Sequence, residues 1–311
     1  MVIPMLGKGH LFALATAFVS GCSIFYNSFA VKGFDPLAFT VAKNSLAALF
    51  LIGIALSIGH WGEISRLSRR QWLTLFAIAI IGGSIPFALF FQGLAIAQSA
   101  STASFLYRML FIFASVLAVF FLRERPSPKV LAGVALIFAA NALLIGKIGF
   151  GSGEILVLAA TVLWAGENIL SKKALAEISP SVVGAARMAL GSAILVAMLF
   201  ATGNFSLASS GSMFGSAAII SALFLTLYVA TYYRALALIP VTEATAILSA
   251  GGIVTALLSF AFSGKIPTLS EAISLLLIAC GVVLLLGFNP IPGAAQKLAA
   301  SIKKRPMAWK A

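Results

Sequence analysis

The chain has 311 residues, 61% hydrophobic and 9% charged, with a mean hydropathy of +1.09 and a net charge of +13. Soluble domains carry about 25% charged residues, so this composition excludes one and points to a polytopic membrane protein. No GxxxxGK[ST] phosphate loop, His/Cys ligand cluster or Gly-x-Ser-x-Gly elbow occurs, which argues against an ATP-driven pump or a hydrolase.

Ten apolar runs follow in chain order, at 10–31, 36–58, 72–92, 100–122, 129–146, 154–172, 180–202, 213–233, 241–262 and 271–288. As helices rising about 1.5 Å per residue, runs of this length cross a hydrocarbon core of about 30 Å. The first is too long for a signal-peptide core and reads as a retained helix. Within the third, GGSIPFALFFQG combines Gly82, Gly83 and Pro86, a hinge signal because proline removes a helix hydrogen bond. The fourth carries Arg108 in FLYRMLFIFAS, next to Tyr107 and one helical turn beyond Ser104. The sixth, LWAGENILS, places Trp164, Glu167, Asn168 and Ser171 on one face, and the first has Ser20, Ser23 and Asn27 at matching spacing. Tyr228, Tyr232 and Tyr233 fall in the eighth run. The ninth brings Thr242, Thr245 and Ser249, followed by a second hinge signal at Gly251 and Gly252. Both cysteines, Cys22 and Cys280, sit inside runs, read as packing residues and offer no disulfide framework. No cofactor or metal is expected.

Basic residues set the orientation. With the N-terminus inside, fifteen loop and tail lysines and arginines lie inside and three, Lys32, Lys147 and Lys265, outside, so both termini are expected in the cytoplasm. The tail from 291 to 311, with KLAASIKKRPMAWK, is basic enough to touch anionic lipid. This charge distribution explains the net charge without nucleic acid.

The two halves of the chain resemble each other. GKGHLFALATAFVSGCSIFYNSFAVKGFDPLAF from Gly7 aligns with GSGEILVLAATVLWAGENILSKKALAEISPSVV from Gly151, superposing Pro36 on Pro180 and Lys43 on Arg187. FFQGLAIAQSASTASFL from Phe90 likewise aligns with YYRALALIPVTEATAIL from Tyr232. Repeats at 1–150 and 151–290 with five spans each enter the membrane from opposite sides, so the predicted fold is all-α, ten transmembrane helices in two inverted five-helix repeats. Such symmetry is characteristic of secondary transporters.

These paired stretches, together with LRERPSPKVLAGVALIFAANALLI, make the chain resemble the EamA family of the drug/metabolite transporter superfamily over about Gly7 to Phe288. The resemblance implies ten helices, cytoplasmic termini, a bacterial inner membrane and export of small metabolites, often amino acids. It also implies a central cavity bounded by the first, third, fourth, sixth, eighth and ninth helices. Many relatives carry a proline in the middle of the fourth and ninth helices; here those regions read FLYRMLFIF and ILSAGGIVT.

The expected cavity residues are Arg108, Tyr107, Trp164, Glu167, Asn168, Ser23, Asn27, Ser104, Thr245, Ser249 and Tyr228. A zwitterionic amino acid would place its carboxylate on Arg108 and its ammonium near Glu167, with Trp164 or Tyr107 against its side chain. Aromatic and other hydrophobic amino acids are the first substrate expectation. Glu167 doubles as a coupling candidate, and Lys43 and Arg187 as gates at opposite ends of the cavity. Two alternatives stand beside this reading: a carrier of cationic or quaternary-ammonium compounds, for which Arg108 would be an obstacle, and an integral-membrane lipid-modifying enzyme. Lipid is an expected partner, and the oligomeric expectation is a monomer or weak homodimer.

Overall fold

A computed structural model describes residues 7–30, 34–97, 106–143, 151–201, 212–264 and 266–287. The described residues are helical and contain no strand. The helices are α1 (Lys8–Ala30), α2 (Pro36–Ser57), the short α3 (Trp61–Ile64), α4 (Arg69–Ile78) and α5 (Ile85–Ile96), the last two joined by a π-helical turn at Ala79–Ser84. They continue as α6 (Leu110–Leu122), α7 (Pro128–Ala142), α8 (Ser152–Ala174), α9 (Pro180–Ala201), α10 (Ser212–Leu238), α11 (Val241–Leu248), α12 (Gly251–Ser263) and α13 (Leu269–Leu285). Among the described residues, seven spans are long and apolar enough to cross a membrane unaided. Three shorter apolar helices, Leu106–Leu122, Pro128–Ala142 and Leu269–Leu285, complete ten.

Local chemistry sets the helix starts. Asp35 accepts the Ala38 N–H at 2.7 Å, with Pro36 preset for the first turn, and Ser127 followed by Pro128 repeats the device at α7. Ser68 with Gln71, and Thr268 with Glu271, form reciprocal capping boxes. Side chains such as Leu49, Phe120, Phe200, Phe262 and Leu276 are exposed, as a lipid-facing surface requires, whereas Thr16, Thr161, Asn168 and Ser274 are buried.

The inverted repeat is visible in which spans touch. Span one (α1) packs on span eight (α10), and its symmetry partner, span six (α8), packs on span three (α5). Span one also packs on span nine (α12), mirrored by span six on span four (α6). Two pairs map onto themselves, α2 with α9 and α7 with α13, and so lie across the pseudo-two-fold axis. Glycine allows the backbones to meet: Gly21 with Gly251, Gly83 with Gly191, Gly93 with Gly153, and Gly133 with Gly281. A Cβ on Gly191 would stand 2.7 Å from the Gly83 backbone.

At one end of the bundle, carboxylates cap helix ends across the repeats and a lysine caps one within the second repeat. Glu124 accepts the Val241 and Thr242 N–H groups at 2.7 and 3.1 Å, and Lys172 donates to the Leu236 and Ile239 carbonyls at 2.6 and 2.9 Å. His10 pairs with Glu243 at 3.0 Å, and Glu63 accepts the Ser179 N–H at 2.7 Å just before α9. All these groups belong to segments that the basic-residue distribution assigns to one side. Their convergence fits the alternating course of the spans.

Two outcomes are expected. Gly191→Val destabilises the detergent-purified protein by about 1–3 kcal/mol through overpacking, read as a lower unfolding midpoint, while Gly166→Ala, with nothing within 4 Å of the added carbon, does not lower it. Burial pushes the Glu63 carboxyl up, but the Ser179 N–H, the Ser179 hydroxyl and His60 together hold it below its ordinary value. With the folded value depressed, the stabilisation is present above the unfolded value of about 4.3 and disappears as pH falls through the folded one. Protection of the Ser179 amide from hydrogen exchange, corrected for intrinsic rate, is expected to hold from neutral pH down to that region and collapse below it. Glu63→Gln should remove the dependence.

Candidate functional site

The third span holds the feature that organises the site. Pro86 has no N–H to give the Gly82 carbonyl four residues back, and the helix passes this point through the π turn, with Ser84 bonding back to the Ala79 and Ile80 carbonyls at 3.1 Å. The freed Gly82 oxygen instead accepts Trp164 Nε1 at 3.0 Å and Arg187 Nη2 at 2.9 Å. Three spans thereby converge on one carbonyl. Gly82 and Gly83 are small for the same reason: a Cβ on Gly82 would run into the Glu167 side chain, and one on Gly83 into the Arg187 carbonyl.

Glu167 is buried beside this carbonyl. Its Oε1 accepts the Tyr233 hydroxyl at 2.5 Å and the Ser171 hydroxyl, and lies 3.7 Å from Arg187 Nε. Asn168 accepts Tyr232 at 2.6 Å and donates to the Trp164 carbonyl at 3.0 Å, while Tyr228 stacks on Tyr232 with centroids 5.6 Å apart. Trp164 is surrounded by rings, with Phe87 and Phe90 at 5.4 Å and Tyr107 at 5.7 Å. The outcome is a buried acid–base pair next to an aromatic wall in the middle of the bundle.

Lys43 also reaches this wall. Its ammonium stands 5.0 Å from the Phe91 centroid and 5.9 Å from that of Phe87, and the Arg187 guanidinium lies 5.9 Å from Phe87. The repeat-related cations thus meet on one phenyl ring, not at opposite ends of a cavity. They do so because α2 and α9 pack on each other across the symmetry axis. Lys43 is only 7% exposed and Arg187 6%, so neither snorkels to the headgroups.

Arg108 behaves differently from the sequence expectation. Glu167 pairs with Arg187, and among the described residues no ion pair joins it to Arg108. Arg108 instead lines a groove with Gly252, Thr255, Ser259, Pro267 and Glu271, at the end of the bundle opposite the capping carboxylates. The chain turns beside it at Met109, and symmetrically at Ser249 and Ala250 between α11 and α12, where i to i−3 hydrogen bonds replace the regular pattern. The fourth and ninth spans therefore bend without proline. Gly251 serves chiefly as a contact with Ala17 and Gly21, and Gly252 faces Arg108.

Other expected cavity residues have structural bonds. Ser23 accepts from Asn27 at 3.0 Å, and Asn27 accepts from Ser221 at 2.7 Å, tying α1 to α10. Thr245 bonds back to the Val241 carbonyl at 2.8 Å, and Ser249 ends α11. Ser104 lies outside the described residues, as do Lys32, Lys147, Lys265 and the basic tail. The sequence reading missed Phe87, Phe90 and Phe91 as site residues. No spacing singles them out among 25 phenylalanines.

The sequence pattern of the EamA-like transporter family matches residues 7–146 and again 151–287. The chain belongs to the EamA-like transporter family. An uncharacterized transporter of Archaeoglobus fulgidus is 26% identical to it over 208 residues, covering 64% of this chain and 69% of that protein. A crystal structure of another protein superposes with a TM-score of 0.75, covering 95% of this chain and 98% of that one at 17% identity, which shows a shared fold. This EamA-like protein is therefore a multi-pass membrane transporter rather than an enzyme, and a small molecule is its substrate.

A double-mutant cycle tests the central pair. Removing one partner of a buried ion pair strands the other charge, so Glu167→Gln or Arg187→Met alone should cost about 3–5 kcal/mol of stability. The double variant should cost clearly less than the two added, as measured by unfolding in detergent.

Proposed function

We propose that this transporter exports amino acids, with aromatic and hydrophobic ones favoured, by alternating access to the Glu167–Arg187 site. The carrying observation is the buried pair, set between the Gly82 carbonyl and the rings of Phe87, Phe90, Tyr107 and Trp164. Charges at this depth cost about 2.5–3.5 kcal/mol each on insertion scales, so a site that retains them while leaving aromatic surface beside them suits an amphipathic zwitterion. Glu167 Oε1 is taken up by Tyr233, Ser171 and Arg187, which leaves Oε2 to receive a substrate ammonium. The positive-inside distribution supports cytoplasmic termini, and family membership supports a bacterial inner membrane. On that orientation the Glu124, Lys172 and His10–Glu243 contacts close the cytoplasmic end, and the Arg108 groove lies towards the exterior. Alternating access then consists of breaking the cross-repeat contacts of Glu124 and of His10 with Glu243 while the repeats exchange roles.

Purified protein in liposomes loaded with labelled phenylalanine provides the test. Protein-dependent efflux is expected, reduced about tenfold or more in Glu167→Gln, an effect equivalent to about 1.4 kcal/mol, and retained in Arg108→Ala. Absence of wild-type efflux from folded protein would overturn the substrate assignment.

A further inference from the structure

Charge in the core of the bundle does not balance. Lys43 and Arg187 each lie 5.9 Å from the centroid of Phe87, yet among the described residues Glu167 is the one carboxylate paired with either, through Oε1 on Arg187. Lys43 has no hydrogen-bond or ion-pair partner among the described residues, only the faces of Phe87 and Phe91, although more than nine-tenths of it is buried. An unpaired ammonium in hydrocarbon is expensive and is retained where it acts on something.

The repeat shows what is missing. The 144-residue shift that superposes Lys43 on Arg187 also superposes Ser23 on Glu167. In the second half, the cation of the second helix is neutralised by an acid on the first. In the first half, the equivalent position carries a hydroxyl that accepts from Asn27 and brings no charge. The two half-sites lie where α2 packs on α9, and the first half lacks both the freed carbonyl that Arg187 uses and the anion that its twin possesses. Arg187 Nε is buried without a hydrogen bond, its one charged neighbour among the described residues being Glu167 Oε1 at 3.7 Å.

We infer that Lys43 is the carboxylate-recognition residue of the substrate site, and that the anionic group of the transported molecule takes the place beside it that a second glutamate would fill. This rests on the amino-acid reading above and deepens it: the carboxylate goes to Lys43 rather than to Arg108, the ammonium to Glu167, and the side chain lies along Phe87, Phe91 and Trp164. A cation lacking a carboxylate would leave Lys43 unneutralised, so quaternary-ammonium compounds are disfavoured by the same geometry.

The test separates the two charged ends of the ligand. Full-length protein in detergent is heated with phenylacetate, which has the carboxylate alone, with phenethylamine, which has the ammonium alone, and with phenylalanine. Phenylacetate and phenylalanine are expected to raise the unfolding midpoint of wild type and Lys43→Arg, with the phenylacetate shift lost in Lys43→Met. Removing an unpaired buried charge relieves a desolvation cost, so the methionine variant should fold; should it not, inhibition of wild-type binding by phenylacetate but not by phenethylamine, with Lys43→Arg unchanged, gives the same answer. Equal phenylacetate protection of wild type and Lys43→Met, or no protection of wild type by either carboxylate, overturns the inference. In liposomes, Lys43→Met should raise the KM for phenylalanine about tenfold. Efflux with an unaltered KM would sink the role of Lys43 while the amino-acid reading survives. Lys43-dependent phenylacetate binding without phenylalanine efflux would do the reverse.

Discussion

One missing hydrogen bond organises the centre of this protein. Because Pro86 cannot donate, the Gly82 carbonyl is left open inside the membrane, where no bulk water compensates it. It is satisfied by Trp164 from the sixth span and Arg187 from the seventh. Each of those side chains then fixes others: Arg187 holds Glu167, Glu167 collects Tyr233 and Ser171, and Trp164 gathers Phe87, Phe90 and Tyr107. The glycines at 82 and 83 make the approach possible, since the positions a Cβ would occupy are already filled.

The inverted repeat works at two levels. In packing, it supplies matched glycine contacts and two self-paired helix interfaces on the axis. In chemistry, it supplies a cation at the same position of each half and then departs from symmetry. Pro86 has Tyr228 as its counterpart in the second half and Glu167 has Ser23 in the first. The fold is thus near-symmetric, while the central cluster of side chains is not.

Much of the fold was legible in the sequence. The second span, expected at 36–58, forms at 36–57, and the seventh, expected at 180–202, forms at 180–201, because a proline at the first helical position and a run of apolar residues are local signals. The eighth extends further, to Leu238, since Arg234 does not end it: its guanidinium lies over Phe12, and the last carbonyls are capped by Lys172 from another span. The ninth breaks after Leu248 with no proline to announce it. Of the central cluster, the polar face of Trp164 and Glu167 and the helix irregularity at Gly82, Gly83 and Pro86 could be read from helix periodicity and backbone chemistry, but the partner of Glu167 could not.

The sequence by itself determined the solvent of this protein, its ten spans, its orientation signals and its two-fold ancestry, because hydropathy, loop charge and self-similarity are properties of the chain taken alone. Only the tertiary structure decided which buried charges meet. Arg108 and Arg187 are equally plausible partners for Glu167 along the chain. The choice falls to Arg187 because α9 packs against the π turn of the third span, whereas Arg108 points into a groove between the fourth, ninth and tenth spans. Ion pairing depends on distances of a few ångströms between helices, and those distances are set by backbone contacts such as Gly83 against Gly191 that no single stretch of sequence contains.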